Sequence, residues 1–249
     1  MEQEKTPNWM KYPPLLQFYR QVQAAGVELE PDLDFLEDQN LGRYGEYELK
    51  DFEIPQNIRD FLLQVGLPDQ FINWRSPNEE RDSRKMDVTQ GEIFWVSCLK
   101  IKSLKRKKYL IIGEMRNLAR TYSVSNYSEP DRIEKWNKTE SSYYIMVELK
   151  TGTVWKWIPE DNEFTIDFVN SSLEQYLLSM AYWRTFYSEF SERVKGYTEK
   201  NPKETEISYI FDNDEVLYAP FLNILKTLDP KALEDTMSYW NFMCDLSLY

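Results

Sequence analysis

The chain has 249 residues, 42% of them hydrophobic, enough to fill a sizeable core and too apolar for general disorder. Its 30 basic and 42 acidic residues give a formal charge of −12, which repels phosphate backbones at long range and argues against nucleic acid as a direct ligand. It contains no histidine, so the usual general base of serine and cysteine nucleophile systems and the commonest neutral metal ligand are both missing.

In chain order, the first predicted element is a helix in "PPLLQFYRQVQAAG", with Pro14 in its first turn, Leu15, Phe18 and Val22 at helical spacing, and Gly26 as its stop. Acidic "ELEPDLDFLED" and then "LGRYGEYEL" read as loop, or as a helical turn within loop. "EIPQNIRDFLLQVGLP" is a short amphipathic helix. Pro55 suits the first turn, Ile58, Phe61, Leu62 and Val65 form one stripe, and Gly66 with Pro68 ends it.

From residue 91 the period changes. "GEIFWVSCLKI", "YLIIG", "SSYYIMVEL", "GTVWKWI" and "EFTIDFV" are short runs of β-branched and aromatic residues, economically read as an antiparallel meander of about five strands. Next, "FVNSSLEQYLLSM" marks the passage from strand to helix: Ser171 stands three residues before Glu174, the capping-box spacing. Leu173, Tyr176, Leu177, Met180, Trp183 and Tyr187 then share a face, and Gly196 is the expected stop. Polar "GYTEKNPKETEIS" reads as a loop leading into the apolar "YIFDNDEVLYAPFLNIL". A last helix is expected with Asp229 as cap, Pro230 at its first position, and Leu233, Met237 and Trp240 on one face.

Several stretches invite chemical readings. Asn170-Ser171-Ser172 matches a glycosylation acceptor, but "MEQEKTPNWMKYPP" lacks the features of a secretory signal, so the match is idle. A nucleophilic serine there has no histidine to serve it, and a helix start is the simpler reading. Cys98 and Cys244 sit in apolar surroundings outside any CxxC pattern and are expected as buried thiols in a reducing, cytoplasmic compartment. No run reaches membrane-spanning length. The basic run "LKIKSLKRKKYL" reads as a solvated hairpin connection whose charges discourage edge pairing. Trp155 and Trp157 share a side of one strand with Lys156 opposite. They are either an interface anchor or core packed beneath a helix, and the high average burial of tryptophan favours core.

The acidic clusters in "ELEPDLDFLED" and "FDNDE" lack the glycine of a calcium loop. They supply the candidate partner-binding residues Asp32, Asp34, Glu37, Asp38, Asp212, Asp214 and Glu215, chosen on charge alone. No catalytic, cofactor-binding or metal-binding residue emerges. Paired carboxylates suggest a hydrolase only weakly in so acidic a chain.

Taken in order, "IPQNIRDFLLQVGLP", "YLIIGE", "TGTVWKWI", "FVNSSLEQYLLSM" and "LDPKALEDTMSYW" resemble the SUKH superfamily of bacterial immunity proteins, especially its fourth family, over residues 51 to 246. Members often carry a second glycine after "IIG"; here "EMRN" follows, and the loop expected after Gly113 differs accordingly. The resemblance implies a single α+β domain over 1–249, with a twisted, mainly antiparallel central sheet flanked by helices. Residues 1–50 would be an N-terminal helix and acidic loop, and residues 51–249 the SUKH-like core with a C-terminal helix. It further implies a cytoplasmic immunity protein, not an enzyme, that binds and neutralises a cognate toxin domain, often a nuclease, without cofactors. Acidity and abundant aromatics suit a binder of a basic protein. A non-catalytic regulatory scaffold of the same fold is the alternative, with a carboxylate-dependent hydrolase behind it.

Overall fold

A computed structural model describes residues 6–68, 87–93, 99–120, 142–159, 164–201, 206–235, 238–240 and 244. After a 3-10 turn at Asn8–Lys11, helix α1 spans Pro13–Ala24 and buries Leu15 and Val22. Strand β1 (Leu41–Gly42), the single turn α2 (Glu46–Leu49), helix α3 (Gln56–Gln64) and strand β2 (Leu67–Pro68) follow. The predicted stripe of α3 holds, with Ile58, Phe61 and Leu62 buried, but Pro55 stands at the N-cap, outside the helix. Gly66, at φ +91°, is the stop, and it is there for a second reason. A Cβ would stand 2.5 Å from the Gly42 carbonyl oxygen, so only glycine lets β1 and β2 pair this closely.

The main sheet has six antiparallel strands: β3 (Asp87–Ile93), β4 (Lys100–Leu104), β5 (Lys107–Arg120), β6 (Ser142–Glu148), β7 (Val154–Pro159) and β8 (Phe164–Asn170). Its order is β3-β5-β6-β7-β8, and β4 also pairs with β5. Strand β5 is the spine. Its first half pairs with β4 and its second half with β3, while β6 runs along its other side. The sequence showed only "YLIIG" of this 14-residue strand, because "EMRNLAR" has no β-type pattern. There is no loop after Gly113. The strand continues, and the register shifts between Ile111 and Gly113, a bulge that bends the sheet. "GEIFWVSCLKI" contributes to two strands, and its residues 94–98, Cys98 included, lie outside the described residues.

Two long helices cover one face: α4 (Leu173–Lys200) and α5 (Glu206–Leu228). Helix α4 runs straight through Gly196, the stop expected from sequence. Nothing lies near that residue, and the helical packing on both sides of it outweighs one glycine's modest cost. The apolar "YIFDNDEVLYAPFLNIL" is helix α5, with Pro220 inside it. The last predicted helix begins instead as a 3-10 turn, Pro230–Leu233, with Tyr239, Trp240 and Cys244 helical further on and Met237 outside the described residues.

One apolar cluster joins these parts, from Trp9, Leu15 and Phe61 through Leu110, Val147 and Val154 to Tyr176, Phe221 and Trp240. Trp183 is at its centre, with the rings of Phe221, Phe186, Tyr187 and Trp240 within 6.4 Å. Leu173, Tyr176, Leu177, Met180 and Trp183 are all buried, as their spacing predicted. The cluster lies between the helices and one face of the sheet. The other face carries a separate, smaller cluster of Leu104, Tyr109 and Met146, flanked by Trp155, Trp157 and Ile166.

Candidate partner-binding surfaces

The strand-to-helix junction is structural. Asn170 is fully buried. Its side-chain N–H group donates to Asp229 Oδ2 (3.1 Å) and to Ser179 Oγ (3.4 Å), and its Oδ1 accepts from Trp240 Nε1 (3.0 Å). Ser171 gives Asp229 both its backbone N–H (2.6 Å) and its hydroxyl (2.9 Å). The cap of α4 is therefore Ser172, whose Oγ accepts from the Gln175 N–H (3.3 Å), not Ser171. Adjacent serines offer two capping registers, and a carboxylate from 58 residues away decides between them. The same carboxylate makes no cap hydrogen bond to the turn that begins at Pro230. Glu174, expected to complete the capping box, accepts instead from the Tyr12 hydroxyl (3.3 Å). Burial and that neighbouring carboxylate push the Tyr12 phenol well above its ordinary value. A sealed Asn170 cannot be a sugar acceptor.

The first acidic cluster follows α1. Asp32 Oδ2 accepts from Arg184 Nε of α4 (2.7 Å), its Oδ1 accepts from the Phe35 N–H (3.0 Å), and its own N–H donates to the Ala181 carbonyl (3.0 Å). Asp38 Oδ1 accepts from the Asn8 N–H (2.7 Å). Asp32 and Asp38 are thus the pins of this loop. Asp34 points outward beside Leu33, which is 44% exposed, and Glu37 is half-buried and accepts from Gln39 (2.7 Å). Of the four carboxylates, Asp34 and Glu37 are the ones left for a partner.

Asp212, Asp214 and Glu215 belong by their backbone to the first half of α5, and their side chains lie outside those described. They fall between Tyr209, stacked on Tyr197, and Tyr218, stacked on Phe190. The first cluster is anchored at Arg184. Along α4 the two levels are separated by the rise from Arg184 to Phe190, about 9 Å.

The tryptophan pair is the larger correction. Trp155 and Trp157 are half-buried on the face away from the helices, and Lys156 is the residue beneath them, 6% exposed, with its ammonium 3.7 Å from Asp167 and over the Tyr143 ring. Alternation correctly separated the three residues, but it carries no information about which face the helices cover. The basic run also divides. Only Lys105 and Arg106 form the turn, Lys100 and Lys102 are exposed on β4, and Lys107 pairs with the buried Glu148 (2.9 Å), which holds its ammonium above the usual range.

Among the described residues, no three of Cys, Asp and Glu come together as a metal site requires, and no helix is long and apolar enough to cross a membrane. The architecture is that of an α+β protein with one sheet face packed under helices and a second, smaller buried cluster on the other. Residues 23–245 match the SUKH-4 immunity protein family, and the chain belongs to it. The match begins well before residue 51 and takes in the acidic loop that follows α1. No curated protein and no solved structure matches the chain.

Proposed function

We propose that this protein is the antidote to one cognate toxin, possessed of no catalytic step and acting by stoichiometric binding in the cytoplasm as a single folded unit. Membership of the SUKH-4 immunity protein family over residues 23–245 carries the reading. The toxin is expected to be basic, as a nuclease is, and to meet the acidic loop first. Asp34 and Glu37 provide the charge, Leu33 an apolar contact next to Asp34, and the Asp32–Arg184 and Asp38–Asn8 anchors hold the loop ready so that little ordering is required on docking. Asp212, Asp214 and Glu215 extend the negative field along α5.

The test is to co-express the toxin domain encoded beside this gene with and without the protein, scoring growth and co-purification. Rescue with a stable complex is expected, and an active toxin with neither overturns the reading. Asp34→Lys with Glu37→Lys should slow association by about tenfold at low salt while leaving dissociation nearly unchanged. An unaltered association rate removes the acidic loop from the interface.

A further inference from the structure

Among the described residues strand β4 pairs with β5 alone, and Lys100, Ile101, Lys102 and Ser103 follow one another along it, all exposed. The direction of its backbone groups follows from the ladders. The Lys108 carbonyl accepts from the Leu149 N–H (2.9 Å), so Lys108 turns its backbone groups towards β6. Direction alternates along a strand, so Tyr109 turns its own towards β4, where it lies opposite Lys102. Lys102 is thus engaged with β5, and by the same alternation the N–H and carbonyl groups of Ile101 and Ser103 point away from the sheet. Among the described residues nothing pairs with them. An edge of this kind is a template for one more strand.

The side chains of this edge say what such a strand must carry. Ile101 lies opposite Leu110 of the main core and so on the core side of the sheet, yet it is 38% exposed. Lys100 and Lys102 project to the other side, where the Lys102 ammonium stands 5.2 Å from the Trp157 ring. Two copies of β4 paired about Ile101 would set Lys100 of each against Lys102 of the other, and like charges directly opposite are destabilising. The lysines therefore bar a second copy and favour a strand with carboxylates at the same positions. A chain of net charge −12 does not cancel this local effect, because exposed charges further than the screening length of about 8 Å contribute little in physiological salt.

We propose that the free edge of β4 takes one further antiparallel strand from a partner protein, an extended segment in which carboxylate side chains alternate with apolar ones. Its backbone pairs with Ile101 and Ser103, its carboxylates meet Lys100 and Lys102, and its apolar side chains cover Ile101. Nucleic acid, the other polyanion, fits less well, since a phosphate backbone has no donor for the outward carbonyls of Ile101 and Ser103. The edge is distinct from the acidic loop and does not depend on the partner's being a toxin.

A fluorescein-labelled, end-capped peptide of alternating glutamate and valine tests this by anisotropy on the full chain, with a single-stranded oligothymidylate as comparison. Saturable binding of the peptide is expected, weakened by about tenfold or more in the Lys100→Glu, Lys102→Glu double variant and unchanged by Asp34→Lys with Glu37→Lys. In the docked register the valine amides face β4 and the glutamate amides face away. N-methylation of the valine amides should therefore weaken binding by about tenfold or more, and N-methylation of the glutamate amides, at the same charge, should leave it nearly unchanged. Amide hydrogen exchange at Ile101 and Ser103 should be rapid in the free protein and slowed by about tenfold or more under saturating peptide. Absence of saturable binding, binding indifferent to the lysine reversals, equal binding of the two methylated peptides, or tighter binding of the oligothymidylate overturns the proposal. So does protection of the Ile101 and Ser103 amides in the free protein, which would mean that a second copy or another part of the chain already holds the edge. None of those results bears on toxin rescue, so the two readings fail separately.

Discussion

At the scale of single residues, the most demanding group is Asp229. It is 2% exposed, and its carboxylate is compensated by hydrogen-bond donors from Asn170 and Ser171. Removing it strands those donors in the interior, so Asp229→Ala should cost about 3 kcal/mol in urea unfolding at unchanged m-value. Ser171→Ala, which removes one hydroxyl and leaves the backbone bond, should cost about 1 kcal/mol. Equal costs for the two would contradict the hydrogen bonding described. The sequence marked this junction correctly as a helix start, since polar residues between two apolar runs are a local signal. It placed the cap one residue early because Asp229, which claims Ser171, is distant along the chain.

At the scale of elements, the β4–β5 hairpin turns on Lys105 and Arg106, both left-handed, at φ +46° and +66°. A two-residue turn with both central residues left-handed favours Asn-Gly, and side chains with a Cβ are strained there. Replacing Lys105 by Asn and Arg106 by Gly should therefore stabilise the fold by about 1 kcal/mol, measured as a shifted denaturation midpoint, while a loss of stability would show that the two basic side chains contribute more than their backbone strain costs. The sequence suggested a hairpin here but spread the turn over the whole basic run, because lysine and arginine give none of the usual turn signals. Helix α4 shows the complementary case. The stripe read from its period is buried as far as Trp183, but so are Leu178, Ser179, Ala181 and Tyr182 on its other sides, and its length was not legible, since Gly196 is a stop signal that continued packing overrides.

At the scale of the whole molecule, two buried phenols join distant parts of the chain: Tyr12 reaches Glu174, and Tyr182 of α4 is 1% exposed. Burial raises both above the ordinary value, with Glu174 adding to the effect on Tyr12 and Tyr19 and Glu30 to that on Tyr182. A raised folded-state value means the native protein keeps these protons where the unfolded chain has lost them. The stabilisation is then complete below pH about 10 and declines as pH rises beyond it, by up to about 1.4 kcal/mol per pH unit for each phenol. Thermal midpoints between pH 9 and 11.5 should fall accordingly, and less steeply in Tyr12→Phe. A flat profile would mean that neither phenol stays protonated in the native state.

By itself the sequence determined the class of the protein. Local periodicity and punctuation located the buried helix faces and the antiparallel strands, and the order of five motifs pointed to the family that the match over residues 23–245 establishes. The strand spine of β5, the register of the α4 cap, the division of the acidic loop into pins and free carboxylates, and the outward turn of Trp155 and Trp157 were decided only by the tertiary structure. The reason is common to all four. Each depends on which remote group arrives to cover a face or accept a hydrogen bond, and alternation or capping grammar specifies only that such a partner is needed.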